Sequence, residues 1–349
     1  MVIVMKIIFF ILYGILCLSF LVAAFEVIYR FQIIDTYAVE LRTNNSQKDL
    51  INSDSRPTLL VMGDAFSVGN MSYPSIMSAR LPGYRVINGA VSGTGIIDAA
   101  IIAPKRFKEF SPSIFIYQVY VGKDLFEITR PVNWNTISVS RNVYWLTSNY
   151  LRSLGFLNDR LGKQVSHIRE IMSGRNRNVR EAGADQPALY KADSFSVDRY
   201  SGRTKLKLRA DPWLLDKQIM VRAEREKDFK VFLMKLKELV SYGKADQSKT
   251  YILVIPHSCQ INNRYLDNTK QLGARFSSER EILKNDYPFI KKLRLAVAGE
   301  PGVSVLDPLE YLRKQEAAGE LMYLQNDEHL SPAGQKAIAD FILNESGIN

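Results

Sequence analysis

Between Ile7 and Phe25 the chain reads IIFFILYGILCLSFLVAAF, a run with no charged residue. A helix needs about 20 apolar residues to cross a bilayer core, so this run is long enough to span. Lys6 precedes it, and Glu26 and Arg30 follow. Those flanking charges favour a cytoplasmic amino terminus and export of everything beyond residue 30. The small residues Val22, Ala23 and Ala24 also fit a cleaved signal peptide. The length of the run, continued by Val27, Ile28 and Tyr29, favours an uncleaved anchor. Cys17 lies inside the run without a preceding small residue, so a lipoprotein site is not expected.

The whole chain has 349 residues, 46 basic and 36 acidic, giving a net charge of +10. A basic surface could attract acidic polysaccharide, anionic lipid or nucleic acid. Export, and the lack of an arginine-rich run or aromatic-basic interleaving, speak against nucleic acid. Two distant cysteines, Cys17 and Cys259, cannot build a disulfide framework or a zinc ribbon. Any histidine chemistry must use His167, His257 or His329. Neither an HExxH motif nor a phosphate-binding glycine loop occurs. No metal or cofactor is expected.

After a largely polar stretch, 31–57, expected as a stalk, apolar runs alternate with helical spacing. Thr58–Met62, Arg85–Asn88, Ile114–Val121, Tyr251–Ile255 and Val303–Leu306 read as buried parallel strands. Helices are expected over Ile96–Phe110, Asp216–Tyr242 and Glu279–Val297, the last opened by a Ser278/Glu281 capping box. Ser331 and Pro332 fit the N-cap and first position of a helix through Leu343. This rhythm predicts an α/β fold with three layers, α/β/α, around a parallel sheet of about five strands. The predicted domain covers 58–349, with an insertion at about 130–220 that breaks the pattern. The insertion is expected to be partly loop and partly helical, with a basic, solvated surface. In such folds ligands bind beyond the carboxyl ends of the strands.

Four motifs fall at those positions. They are Gly63-Asp64-Ala65-Phe66-Ser67 after the first strand, Asn88-Gly89-Ala90-Val91-Ser92-Gly93 after the second, Gly122-Lys123-Asp124 after the third, and Asp327-Glu328-His329 before the last helix. In this order they resemble the SGNH (GDSL-like) hydrolases, especially membrane-anchored bacterial members that modify extracellular polysaccharides. The resemblance spans about 57–345 apart from the insertion. It implies acyl transfer through a serine, with a His base, an Asp that orients it and an oxyanion hole. Carried over, His329 is the base, Asp327 its orienting acid and Gly93 the oxyanion glycine. Many relatives place the acid one residue earlier, at Asn326 here. Gly63, Asp64, Asp124 and His257 would shape the cleft. His167 falls in the insertion, where a surface position is expected.

Two positions depart from the pattern. The nucleophile position holds Ala65, whose methyl cannot attack a carbonyl. The oxyanion asparagine is replaced by Lys123. Losing a nucleophile alone costs about 10⁶ in turnover in a well-studied triad. Ser67 is expected to cap or bond backbone rather than substitute for the nucleophile. An engineered knock-out would change only the serine, so the pair of departures fits a natural degeneration better. An ammonium in this cleft needs a counter-charge, and Asp327 or Asp124 is the expected partner. Three functions follow: an exported O-acyl (acetyl) esterase or transferase for a cell-surface polysaccharide, inactive as it stands; a degenerate domain that binds glycan or organises a membrane O-acyltransferase; or a purely structural exported protein. The resemblance implies an inner-membrane, single-pass protein with its domain in the periplasm or extracytoplasmic space.

Overall fold

The computed structural model describes residues 2–51, 55–172 and 194–348. Five strands form one wholly parallel sheet: β1 (Thr58–Met62), β2 (Arg85–Asn88), β3 (Ile114–Tyr120), β4 (Lys249–Ile255) and β5 (Val303–Leu306), in the order β2-β1-β3-β4-β5. β1, β2 and β3 are buried throughout. That is why they read as unbroken apolar runs rather than alternating ones.

α1 (Val2–Arg30) contains the apolar run and is the one described helix long and apolar enough to cross a membrane. The segment expected as a stalk carries α2 (Ala38–Asn44) and is tied to the domain. Tyr37 and Leu41 join the main core. Asn45 donates to the Asn88 carbonyl at 2.8 Å and accepts from the Asn88 N–H at 2.7 Å. Arg106, almost wholly buried, pairs with Asp35 at 2.7 Å.

α3 (Tyr73–Arg80) and α4 (Ile96–Phe110) connect the first three strands. β3 is followed by α5 (Asp124–Ile128). The described residues of the segment expected as an insertion, about 130–220, carry α6 (Val139–Ser148), α7 (Ser153–Met172), α8 (Gly202–Ala210) and α9 (Leu214–Ile219), and α10 (Ala223–Ala245) leads into β4. Phe126, Ile137, Trp145, Ala210 and Leu214 form a small core apart from the main one.

Two expected helices are each divided. The 216–242 helix breaks at Val221, which takes φ +45°, an unusual conformation for a β-branched residue. Arg222 reaches back to Asp216 at 2.9 Å, and Asp216 also accepts from the Ser277 amide and hydroxyl. These bonds hold α9 apart from α10. The 279–297 helix is α12 (Glu279–Ile282), capped by Ser278, and α13 (Pro288–Val297), following α11 (Asn263–Gln271). Pro288 has no N–H to continue an incoming helix and so starts a new one. α14 (Leu309–Ala317) and α15 (Pro332–Ser346) complete the chain, with Ser331 capping the Gly334 amide at 3.0 Å.

Candidate active site

The motifs gather at the carboxyl ends of β1, β2 and β3. The loop after β2 continues along the end of β1: the Gly89 amide donates to Val61 at 2.8 Å, and the Val91 amide to Gly63 at 3.0 Å. Gly63 must be glycine, because a Cβ there would lie 2.5 Å from Gln118 Oε1. That close approach lets Gln118 accept the Asp64 amide at 3.0 Å.

Asp64 N-caps a short 3₁₀ turn, Ala65–Ser67, by accepting the Phe66 amide at 3.0 Å. Ala65 is half-exposed on this turn. Ser67 is fully buried and bonded to Tyr73 (2.8 Å) and Gln118 (3.1 Å). Its hydroxyl ties side chains together instead of capping, and it is withdrawn from the cleft.

Lys123 departs from expectation most. Its buried ammonium contacts Asp64 Oδ2 at 3.4 Å and donates to the Thr94 carbonyl at 3.1 Å. Neither Asp327 nor Asp124 makes this ion pair. Asp327 is held by His329, and Asp124 turns back to accept the Tyr120 amide at 3.2 Å. Burial pulls the Lys123 pKa down, but the carboxylates of Asp64, Glu127, Asp124 and Glu328 outweigh it and raise it. Burial, with the Asp64 charge beside it, pushes the Asp124 carboxyl well up. Lys123 thus straddles the Asp64 turn and the Gly93–Thr94 loop. Gly93 itself is exposed, with φ +85°.

His329 approaches from the loop before α15. Its Nδ1 pairs with Asp327 Oδ1, and its amide donates to the same oxygen at 3.1 Å. With Nδ1–H held by the carboxylate, Nε2 is left as the acceptor. The ring packs on Phe66 at 5.0 Å between centroids. Burial opposes a charge on it, but the Asp327 bond and nearby carboxylates raise its pKa. Asn326 bonds elsewhere, accepting the Ser196 amide at 2.8 Å and donating to the Ser194 carbonyl. Gln335 of α15 clamps the 3₁₀ turn by donating to the Phe66 carbonyl at 3.0 Å.

His257 lies beneath this surface. It is fully buried, stacks on Tyr120 and accepts the Cys259 amide at 3.1 Å, while its Nε2 has no hydrogen-bond partner among the described residues. Burial holds its pKa down to about 4. Gly122 packs against it, where a Cβ would lie 2.6 Å from the imidazole. His167 falls on α7, and its side chain lies outside the described residues.

Three features escaped the sequence reading. Glu328 pairs with Lys207 of α8 at 3.2 Å; burial opposes its charge, but Lys207 and the nearby histidines bring its pKa down to about 2. Glu127 pairs with Arg130, and its pKa also falls to about 2, burial again being outweighed by Arg130, Lys123 and Lys207. The i, i+3 spacing of Glu127 and Arg130 was a readable signal. Third, a small open cleft of about 30 Å³ adjoins the Gly93 loop, lined by Ser92, Gly93, Thr94, Arg130, Arg152 and Phe156 among others. Among the described residues, no cluster of three or more metal-binding side chains occurs.

No protein-family model matches the chain, and no curated protein matches it. Among solved structures, the chain is similar to an acetylxylan esterase from Geobacillus stearothermophilus in a catalytic-mutant form, at 12% identity, over 85% of this chain and 97% of that one, with a TM-score of 0.40. It is also similar to TesA, at 12% identity over 82% and 96%, with a TM-score of 0.37. The esterase EstA from Pseudoalteromonas sp. aligns at 10% identity over 83% and 96%, with a TM-score of 0.35. The chemistry of the site is therefore read from its own residues.

Proposed function

We propose that this chain is a membrane-anchored, SGNH-like domain that has lost ester chemistry and serves as a glycan-binding or assembly partner of a membrane O-acyltransferase. The carrying observation is the Lys123 ammonium, bound to Asp64 and the Thr94 carbonyl. It occupies the space between the Ala65 turn and the Gly93 loop, where an active relative would hold the oxyanion. Thr94 O and Asp64 Oδ2 engage that ammonium. Ala65 offers no nucleophile, and the only hydroxyl on its turn, Ser67, is buried. His329 and Asp327 retain the geometry of a base and its orienting acid, with nothing to deprotonate.

The test is hydrolysis of p-nitrophenyl acetate by the full chain in detergent. The parent chain and Ala65→Ser should both stay at the solvent background, the latter because Lys123 still occupies the oxyanion side. Turnover by the parent that disappears in His329→Ala would overturn the reading. Affinity electrophoresis in O-acetylated and deacetylated alginate tests the binding role, with retardation expected in the acetylated gel.

A further inference from the structure

We infer that α6 and the loop after α1 form a second membrane contact, so that the domain lies on the bilayer surface rather than standing off it. The helix α6 carries apolar residues on both faces, Trp145 in the small core and a second set outside. Asn142, Trp145 and Ser148 point inward. Val139, Val143, Leu146 and Tyr150 follow at helical spacing on the outside, and Val139 and Tyr150 are 67% and 72% exposed. Single exposed apolar residues need no explanation, but a continuous stripe does. An apolar stripe of this kind is how a helix lies in the plane of a lipid interface.

The position of the stripe identifies what covers it. The uncharged run Ile7–Phe25 rises about 28 Å as a helix, close to the roughly 30 Å hydrocarbon thickness. Glu26, the first residue beyond that run, accepts the backbone amides of Arg152 and Ser153 at 3.0 and 2.9 Å. Arg30 donates to the Tyr150 carbonyl at 2.8 Å. The end of α6 is thus fixed within about two helical turns of where α1 leaves the hydrocarbon. On the same level, Phe31, Ile33 and Ile34 follow α1 directly and are exposed. Tyr150 fits that depth, since tyrosine is enriched where a membrane meets water. The occupant is therefore the lipid that α1 already spans. The inference rests on α1 spanning the membrane and is independent of the missing nucleophile.

The test uses the full chain, with Cys17→Ala, reconstituted into vesicles of phosphatidylethanolamine and phosphatidylglycerol. Cys259 is fully buried and stays unlabelled. An environment-sensitive fluorophore is attached at Val143→Cys or, as a control, at Leu295→Cys on α13, an exposed site. Nitroxide lipids should quench the Val143 label severalfold more than the Leu295 label, and an aqueous quencher should do the reverse. Equal access of water to both labels would overturn the inference and leave the stripe to a protein partner. Protection of the Val143 label from both quenchers would also overturn it, indicating a second copy on this face. Circular dichroism of both labelled proteins checks that each is folded.

Discussion

Removing Lys123 should cost more stability than removing its ion-pair partner Asp64. The ammonium pairs with Asp64, and the fields of Glu127, Asp124 and Glu328 add to its stabilisation. In Lys123→Met the buried Asp64 loses its ion-pair partner and the Thr94 carbonyl loses its donor, while Glu127 and Glu328 keep Arg130 and Lys207. Breaking a buried pair from one side costs about 3–5 kcal/mol. In Asp64→Asn the amide can still accept the Phe66 amide. Asp124, whose carboxyl pKa burial and the Asp64 charge push well up, is relieved of that repulsion and takes over part of the lost counter-charge. That limits the loss to about 1–3 kcal/mol, comparable to one poorly satisfied buried group. With an unfolding entropy near 2.1 cal/mol/K per residue, a domain of this size loses on the order of 7 °C in Tm for about 4 kcal/mol. The assay is thermal and urea unfolding of the full chain in detergent, followed by near-UV circular dichroism. If Lys123→Met stayed within about 1 kcal/mol of the parent, the ammonium would not be the hub of this cluster. If Asp64→Asn were the more damaging change, the compensating role of Asp124 would be wrong.

The two described histidines should act on stability in opposite pH windows. His257 is held neutral, with a pKa of about 4 against 6.5, so its contribution is complete above 6.5 and lost as pH falls toward 4. The window is worth about 3 kcal/mol, and subtracting the His257→Gln unfolding curve from the parent's should recover it; a flat difference would refute this. His329 has a raised pKa, so its contribution is complete below 6.5 and fades as pH rises through its folded value. The parent-minus-His329→Gln difference should therefore fall on the alkaline side. Gly334→Ala should lose at least about 2 kcal/mol, the scale of an overpacked core site, because its Cβ would lie 2.1 Å from the Met322 carbonyl. An unchanged urea midpoint would contradict that placement.

What the sequence revealed depended on how local the cause was. Ile96–Phe110 is a helix with the expected bounds, and β1 and β2 match their apolar runs, because burial and periodicity are written into neighbouring residues; β5 has the expected bounds but, at the edge of the sheet, is buried only at Leu306. The break at Val221 was not legible. Apolar spacing runs through it, and its cause is a set of bonds from Asp216 to Arg222 and to Ser277, 61 residues away. The partner of Lys123 was equally hidden. Charge arithmetic demanded a carboxylate, but the choice of Asp64 depends on β1 and β3 lying side by side. Spacing also left Asn326 and Asp327 open as the histidine's companion. The side chains settle it through separate hydrogen bonds: Asn326 holds 194–196, and Asp327 holds His329.

His329 has a structural role that does not depend on any chemistry at Ala65. His329 does more than present Nε2: its ring covers Phe66, and Phe66 in turn packs on Tyr120 at 4.3 Å. Its backbone amide and Nδ1 both bind Asp327, which sets the loop that leads into α15. Gln335 then returns from that helix to hold the Ala65 turn. Truncating His329 would uncover this aromatic cluster, whereas a change at half-exposed Ala65 leaves it covered. Packing alone therefore accounts for the His329–Asp327 pair, which by itself is no evidence of activity.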